Sequence, residues 1–422
     1  MPRLFSHTFL LILSVLFIAT LVRFINFENR MNFGPEQAIS LSVAADYINE
    51  KFSLLGEPNV QRVTSYGHRI FHPPVFNYSL IPLLVVFNYD PIPVTVFFGL
   101  LNLGTGVVLF WVIKNNINMK VALFSLILFL FNSVMIQHSL FIWNQNYIPL
   151  LSIFIGFWIY KIKIANGKDD FKHALLIGIF SGIILGIEFL FLVTMVFISG
   201  FIFYFSKRKI QVISGMLIGL VISLSPMILF DVRHQFYFMN TLIQYFIDTL
   251  KAPGQNNLSY YHFFQFWPPL VLLGGFILSK IYARTSLLAS CMLIAYMLFN
   301  LFSPQVNFTK AVGMNINLNY PKLAEAAKAI AEDKPVSFNV VTTWDFDSQA
   351  HPLRYLMKYR YNLNPANTED YHNIKNLYVM SSSDYNFQKT SLYEIASFRP
   401  FNVALLKNID NDYSVFKLSQ EK

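Results

Sequence analysis

The chain is dominated by runs of apolar residues long enough to cross a bilayer, and no other feature constrains its fold as strongly. A membrane-spanning helix needs about 20 such residues, with a range near 17–25. Runs close to that length lie at 8–25, 92–113, 119–136, 147–163, 174–188, 189–205, 211–230, 264–282 and 286–303. A further run, 75–88, is short, with Pro73 and Pro74 before it and Pro82 inside it. Hydrophobic residues make up 55% of the sequence and charged residues 13%, against roughly 45–50% and 25% in soluble domains. Charges are sparse up to Ser303 and dense after it. The expected fold class is a polytopic α-helical membrane protein of about 9–11 spans with a small C-terminal soluble α/β domain.

Loop charge orients such a chain, because cytoplasmic loops carry the excess of Lys and Arg. With Arg3 inside and 75–88 not crossing, four basic clusters fall inside: Lys114 and Lys120; Lys161, Lys163, Lys168 and Lys172; Lys207, Arg208 and Lys209; Lys280 and Arg284. The loop 137–146, without Lys or Arg, falls outside. A full crossing by 75–88 moves every cluster to the wrong side, so that run reads as re-entrant or juxtamembrane. The expected protein is a multi-pass cell-membrane protein with a cytoplasmic N-terminus. The net charge of +9 resides in these topology signals, which argues against a nucleic-acid partner. A single cysteine, Cys291, excludes an internal disulfide or a cysteine metal cluster. The first run lacks a small-residue cleavage site and reads as a retained anchor.

Residues 1–303 are thus the expected membrane body, with an extracytoplasmic loop at 26–74 and a second long outer loop at 231–263. Residues 304–422 are the expected extracytoplasmic domain. In the first loop, EQAISLSVAADYI places Ala38, Leu41, Ala45 and Ile48 on one face, predicting an amphipathic helix on the membrane surface. After Ser303, NYPKLAEAAKAIAED predicts a soluble helix, and PVSFNVVTTW, NLYVMSS and FNVALLK predict short strands.

No phosphate-cradling glycine loop, HExxH pair or GxSxG elbow is present. Polar residues gather instead at the outer surface: Glu36, Asp46, Arg62, His68, Arg69, His72, Trp143, Asn144, Gln145, Asn146, Glu188, Asp231, Arg233 and His234. Plainer readings stand beside each functional one. A carboxylate after Pro35 suits a helix start, Arg62 and Arg69 suit lipid headgroups, and Trp143 suits an interfacial belt. His72 suits a turn, and Asp231, Arg233 and His234 suit a salt-bridged loop. Asp345, Asp347 and His351 form a faint metal constellation that a solvated surface explains as well. Glu188 is harder to explain structurally, since ionisable groups at membrane segments are costly.

Four stretches carry a resemblance: FGPEQAISLSVAADYINEKFSLLGEP, HPPVFNYSLIPLLVVFNYDP, FIWNQNYIPLL and LSPMILFDVRHQFYFMNTLI. In order and spacing they resemble the GT-C class of membrane glycosyltransferases, in the branch related to protein O-mannosyltransferases and aminoarabinose (lipid A) transferases. The likeness covers roughly residues 8–250. It implies an enzyme that moves a monosaccharide from a polyprenyl-phosphate donor to an acceptor glycan, lipid or protein with inversion, Glu36 being the catalytic base. Related bacterial proteins usually have Asp at the position of Glu36 and a second Asp four residues on, where this chain has Ser40. The chemistry agrees with the residues. An inverting transfer needs one carboxylate to deprotonate the acceptor, and a phosphate leaving group needs cations, for which Arg69, Arg62, Arg233 and His234 are candidates. His72, Asn144, Asn146, Glu188 and Asp231 are candidate substrate contacts. The cofactor stays open, a divalent cation included. A transporter or flippase of lipid-linked sugars and a non-catalytic membrane scaffold are the competing readings.

Overall fold

The computed structural model describes residues 7–165, 167–251, 259–344 and 346–420, and of residues 7 and 59–62 the backbone only. The first anchor is α1 (His7–Phe24), followed by a single turn, α2 (Phe27–Arg30), and the loop helix α3 (Pro35–Asn49). A small hairpin, β1 (Pro58–Val63) and β2 (Arg69–Phe71), leads into α4 (Val75–Val86) and the long α5 (Pro91–Asn116). Then come α6 (Met119–Leu130), α7 (Ser133–His138), α8 (Ile148–Ala165), α9 (Asp170–Ile187), α10 (Phe191–Phe205) and α11 (Lys209–Arg233). The body ends with α12 (Tyr237–Lys251), α13 (Trp267–Arg284) and α14 (Ser286–Leu301). Short 3-10 turns, Asn144–Tyr147 and Tyr260–Phe266, run straight into α8 and α13.

Among the described residues, five helical segments are long and apolar enough to cross a membrane: Pro91–Asn116, Asn144–Ala165, Asp170–Ile187, Lys209–Arg233 and Tyr260–Arg284. Five apolar helices are shorter, Thr8–Phe24, Val75–Val86, Met119–Leu130, Phe191–Phe205 and Ser286–Leu301. Phe17, Phe197, Leu217, Leu273 and Leu298 stand exposed on these helices, a distribution that suits lipid and not water. The chain is a multi-pass membrane protein.

One expected run is broken. Residues 119–136 are two helices, because Asn132 turns its carboxamide oxygen onto the amides of Val134 (3.0 Å) and Met135 (3.2 Å) and starts α7. Asn300 of α14 accepts from the Ser133 amide at 2.8 Å. Backbone freed within the body is thus met by protein.

Helix contact inside the body relies on absent side chains. On α9 and α11, a Cβ added at Gly178 would lie 2.3 Å from the Met216 carbonyl oxygen, and one at Gly219 would lie 2.3 Å from that of Leu175. Such small-residue faces let backbones touch where lipid provides no hydrophobic drive.

The soluble part holds α15 (Tyr320–Glu332), α16 (His351–Arg360), a short α17 (Tyr393–Ala396), and strands β3 (Phe338–Thr342), β4 (Asn376–Ser381), β5 (Phe401–Asn408) and β6 (Ser414–Gln420). The sheet order is β3-β4-β6-β5, with β3 and β4 parallel and the other pairs antiparallel. The predicted α/β character is present. What differs is the setting of α3: its apolar face is covered by protein, not lipid. Ala38, Leu41 and Ala45 are fully buried in one core with Leu80 of α4 and Leu323, Leu353 and Leu356 of the soluble domain. Periodicity reveals an apolar face but not what covers it. Polar ties reinforce the seat. Lys358 reaches Asp46 and Glu50, both at 3.0 Å, and the Tyr355 hydroxyl donates to the Tyr89 carbonyl at 2.8 Å.

The α9–α11 contact gives a direct test. Gly219→Ala should lower stability by about 1–3 kcal/mol through overpacking, whereas Gly104→Ala, whose Cβ meets nothing within 4 Å, should not. Thermal unfolding of the detergent-solubilised protein reads the difference.

Candidate active site

Glu36 sits in the first turn of α3, just after Pro35. The helix start does not use it. The Gly34 amide donates to Asn32 Oδ1 (3.0 Å) and Gln37 Oε1 (3.1 Å), closing the turn without the Glu36 carboxylate. Among the described residues no side chain pairs with that carboxylate, which water can reach. Surrounding protein still desolvates it and raises its pKa above the ordinary value.

One turn further along α3, Ser40 Oγ donates to Glu57 Oε2 at 2.6 Å. Glu57 opens the hairpin, where backbone pairing holds it: the Gly56 amide donates to the His72 carbonyl (2.8 Å) and the His72 amide to the Glu57 carbonyl (2.9 Å). Gly56 permits this approach, since a Cβ there would meet the His72 and Pro73 carbonyl oxygens at 2.7 and 2.8 Å. Asn77 of α4 ties the arrangement together, donating to the Ser40 carbonyl at 3.2 Å.

The same hairpin forms one wall of a cavity of about 670 Å³ lined by Leu55, Phe71, Phe230, Arg233, His234, Gln235 and Tyr237. Its lining is mostly apolar with two basic side chains. Arg233 and His234, from the end of α11, therefore share a region with His72 and Glu57. Asp231 does not pair with Arg233; its oxygens accept from the Phe238 (2.7 Å) and Met239 (3.0 Å) amides and start α12. The hairpin is strapped to α12 by Ser65, whose amide donates to Asp248 at 2.8 Å, and by His68 stacked on Tyr237 at 5.2 Å. Arg69 is exposed on β2. The side chain of Arg62 lies outside the described residues.

A second polar cluster adjoins the first. A Cβ added at Gly186 near the end of α9 would lie 3.3 Å from Pro73, and two residues on, Glu188 is buried. It accepts from the Leu190 amide (3.1 Å), Gln145 Nε2 (3.2 Å) and His262 Nδ1 (2.7 Å). Asn144 is buried with its oxygen on the Gln145 amide (2.8 Å). Asn146 donates to the His138 and Phe141 carbonyls, both at 2.9 Å. Both residues shape the turn that presents Gln145. Trp143 stacks on His138 and meets Tyr261 edge-on, so it faces protein rings.

Glu57, Asn77 and His262 were not singled out from the sequence. A lone glutamate in a polar loop and a histidine in a long loop look solvated until folding supplies their partners. In the soluble domain Asp347 and His351 pair with each other at 2.7 Å, and Asp345 lies outside the described residues. Among the described residues no three His, Cys, Asp or Glu side chains converge on a metal position.

No family model and no curated relative matches the chain. Solved structures do match in fold. ArnT from Cupriavidus metallidurans in the apo state is 12% identical, with a TM-score of 0.61 and 98% of each chain covered. The same protein bound to undecaprenyl phosphate gives a TM-score of 0.57 over the same coverage. The archaeal oligosaccharyltransferase AglB from Archaeoglobus fulgidus, in complex with an inhibitory peptide and a dolichol-phosphate, is 9% identical with a TM-score of 0.48, covering 87% of this chain and 69% of its own. The chain thus has the fold of these ArnT structures, in line with the resemblance that the four sequence stretches carry.

Glu188 is the hub of its cluster. Glu188→Ala strands His262 and Gln145 and should cost about 1–3 kcal/mol, the usual penalty for buried groups left unpaired. Glu188→Gln, which keeps an acceptor, should cost less; detergent-phase thermal unfolding ranks the two.

Proposed function

We propose that the protein is an inverting glycosyltransferase that uses a polyprenyl-phosphate-linked sugar at the extracytoplasmic face, Glu36 being the base. One observation supports this most: an unpartnered carboxylate on α3 and an apolar cavity with Arg233 and His234 on its wall are joined by a single hairpin, within this fold. An apolar cavity with cations suits an isoprenoid tail ending in phosphate. Arginine is the better phosphate partner because its planar fork donates two parallel hydrogen bonds.

The reaction then balances simply. The acceptor oxygen attacks the anomeric carbon from the face opposite the phosphate, and its proton passes to Glu36. The carbon–oxygen bond to phosphate breaks, and polyprenyl phosphate leaves. That leaving group is already a weak base, so cationic stabilisation by Arg233 replaces a general acid. A lipid-borne donor stays in the bilayer, so a site at headgroup depth avoids extracting its tail. In this reading α3, the hairpin and the soluble domain lie outside the cell, and the acceptor approaches from that side.

Comparing envelope glycans by mass spectrometry with and without the protein should reveal one missing monosaccharide. In the purified system Glu36→Gln should lower turnover by about 10²–10⁴-fold, the contribution of a positioned base, while leaving polyprenyl-phosphate binding intact. Unchanged turnover in this variant would overturn the assignment.

A further inference from the structure

A second cavity, of about 1100 Å³, opens between α3 and the soluble domain. Ser42, Asp46 and Glu50 of α3 form one wall, and the loop after α16, residues 364–373, forms the other. That loop is held from behind. Arg354 donates to the Ala366 carbonyl at 2.6 Å, and Asn339, fully buried in β3, donates to the Asn367 (3.0 Å) and Asp370 (2.9 Å) carbonyls. The Ala366 amide in turn donates to the Phe338 carbonyl at 2.9 Å. The domain thus fixes the backbone of the loop and leaves its side chains over. Asn364, Asn367, Thr368, Glu369 and His372 line the cavity, and among the described residues none of their side chains has a partner.

Those groups define what the cavity can take. Carboxamides, a hydroxyl and an imidazole offer donors and acceptors together, the complement of a ligand that carries many hydroxyls. Both cations on the lining are engaged, Lys358 by Asp46 and Glu50 and Arg354 by the loop itself. Glu369 keeps a free carboxylate, which disfavours an acidic ligand. The apolar lining is confined to Tyr359, Pro365 and Ala366. It suits the C–H face of a sugar and lacks the alternate pockets by which an extended peptide is recognised.

We infer that this cavity binds the distal sugars of a neutral or amino-bearing glycan acceptor, away from the hydroxyl that reacts. This deepens the glycosyltransferase reading and rests on it for what happens at Glu36, whereas the binding does not. Ser42 and Asp46 lie beyond Glu36 on α3, about 9 and 15 Å along the helix axis. An acceptor that touches both the cavity and Glu36 is therefore a chain and not a single sugar. Because one helix carries both the carboxylate and a wall of the cavity, binding of the distal part orients the reacting end. No bond forms or breaks in the cavity.

The test uses the full chain in detergent and envelope glycans released from cells that lack the protein, labelled with a fluorophore; a peptide pool from the same envelope is run alongside. Neutral or amino-bearing chains of several sugars should bind. Asn364→Ala combined with Asn367→Ala should weaken them about tenfold, as expected for two lost hydrogen bonds. Both side chains are exposed, so the fold does not depend on them. Thr368→Trp, which fills the cavity, should abolish binding. In turnover the double variant should raise KM for the glycan acceptor about tenfold and leave KM for the donor where it was. Binding of no glycan, of acidic chains only or of peptides instead, or wild-type affinity in both variants, would overturn the site while leaving the transferase reading in place. Glycan binding that the variants weaken, in a protein that transfers no sugar, would keep the site and overturn the transferase reading.

Discussion

The seat of α3 is the constraint on which the remaining geometry depends. Its apolar face is buried between α4 of the membrane body and α16 of the soluble domain, and Lys358 clamps its far end through Asp46 and Glu50. With that face fixed, Ser40 reaches Glu57 on the hairpin, while Glu36 stays open to water. Burying Ala costs no rotamer freedom and burying Leu costs little, so the seat orders few side-chain degrees of freedom. The two halves that look separable in sequence therefore share one core, and the soluble domain acts as a brace for the loop that holds the carboxylates.

The bilayer imposes the second condition. Backbone that leaves a helix at membrane depth must be satisfied by protein, and three irregular segments among the described residues are met by side chains. Asn132 and Asn300 bond the break between α6 and α7, Asp231 starts α12, and Asn146 closes the turn before α8. Several polar residues that look like ligand contacts in a sequence are thereby engaged in shaping backbone. Among the described candidates, Glu36, Arg69 and Arg233 keep unpaired chemistry, whereas His234 has Nδ1 on the Phe230 carbonyl at 2.8 Å.

Much of this was legible before folding, for identifiable reasons. Apolar run length is a direct reading of bilayer thickness, so most helices fall where the runs do. The break at Asn132 was not legible, because a single polar residue in an apolar run looks tolerable until its carboxamide is seen on two amides. The cover over α3 was not legible either, since an apolar stripe looks the same against lipid and protein. Glu36 stood out as the acidic residue opening the loop helix just beyond the first anchor, where the resemblance implies a base. Glu57 did not, because its significance arises from Ser40, distant in sequence and itself unremarkable until the hairpin folds back.

The central claim is that the cavity beneath Arg233 and the face of α3 form one site for a lipid phosphate. Photo-cross-linking with a polyprenyl phosphate carrying a diazirine next to its phosphate addresses this directly. The account predicts labelled peptides from Leu55–Phe71 and Phe230–Tyr237, suppressed by excess unlabelled lipid phosphate. Suppressible labelling confined to other helices, with those two segments untouched, would contradict it.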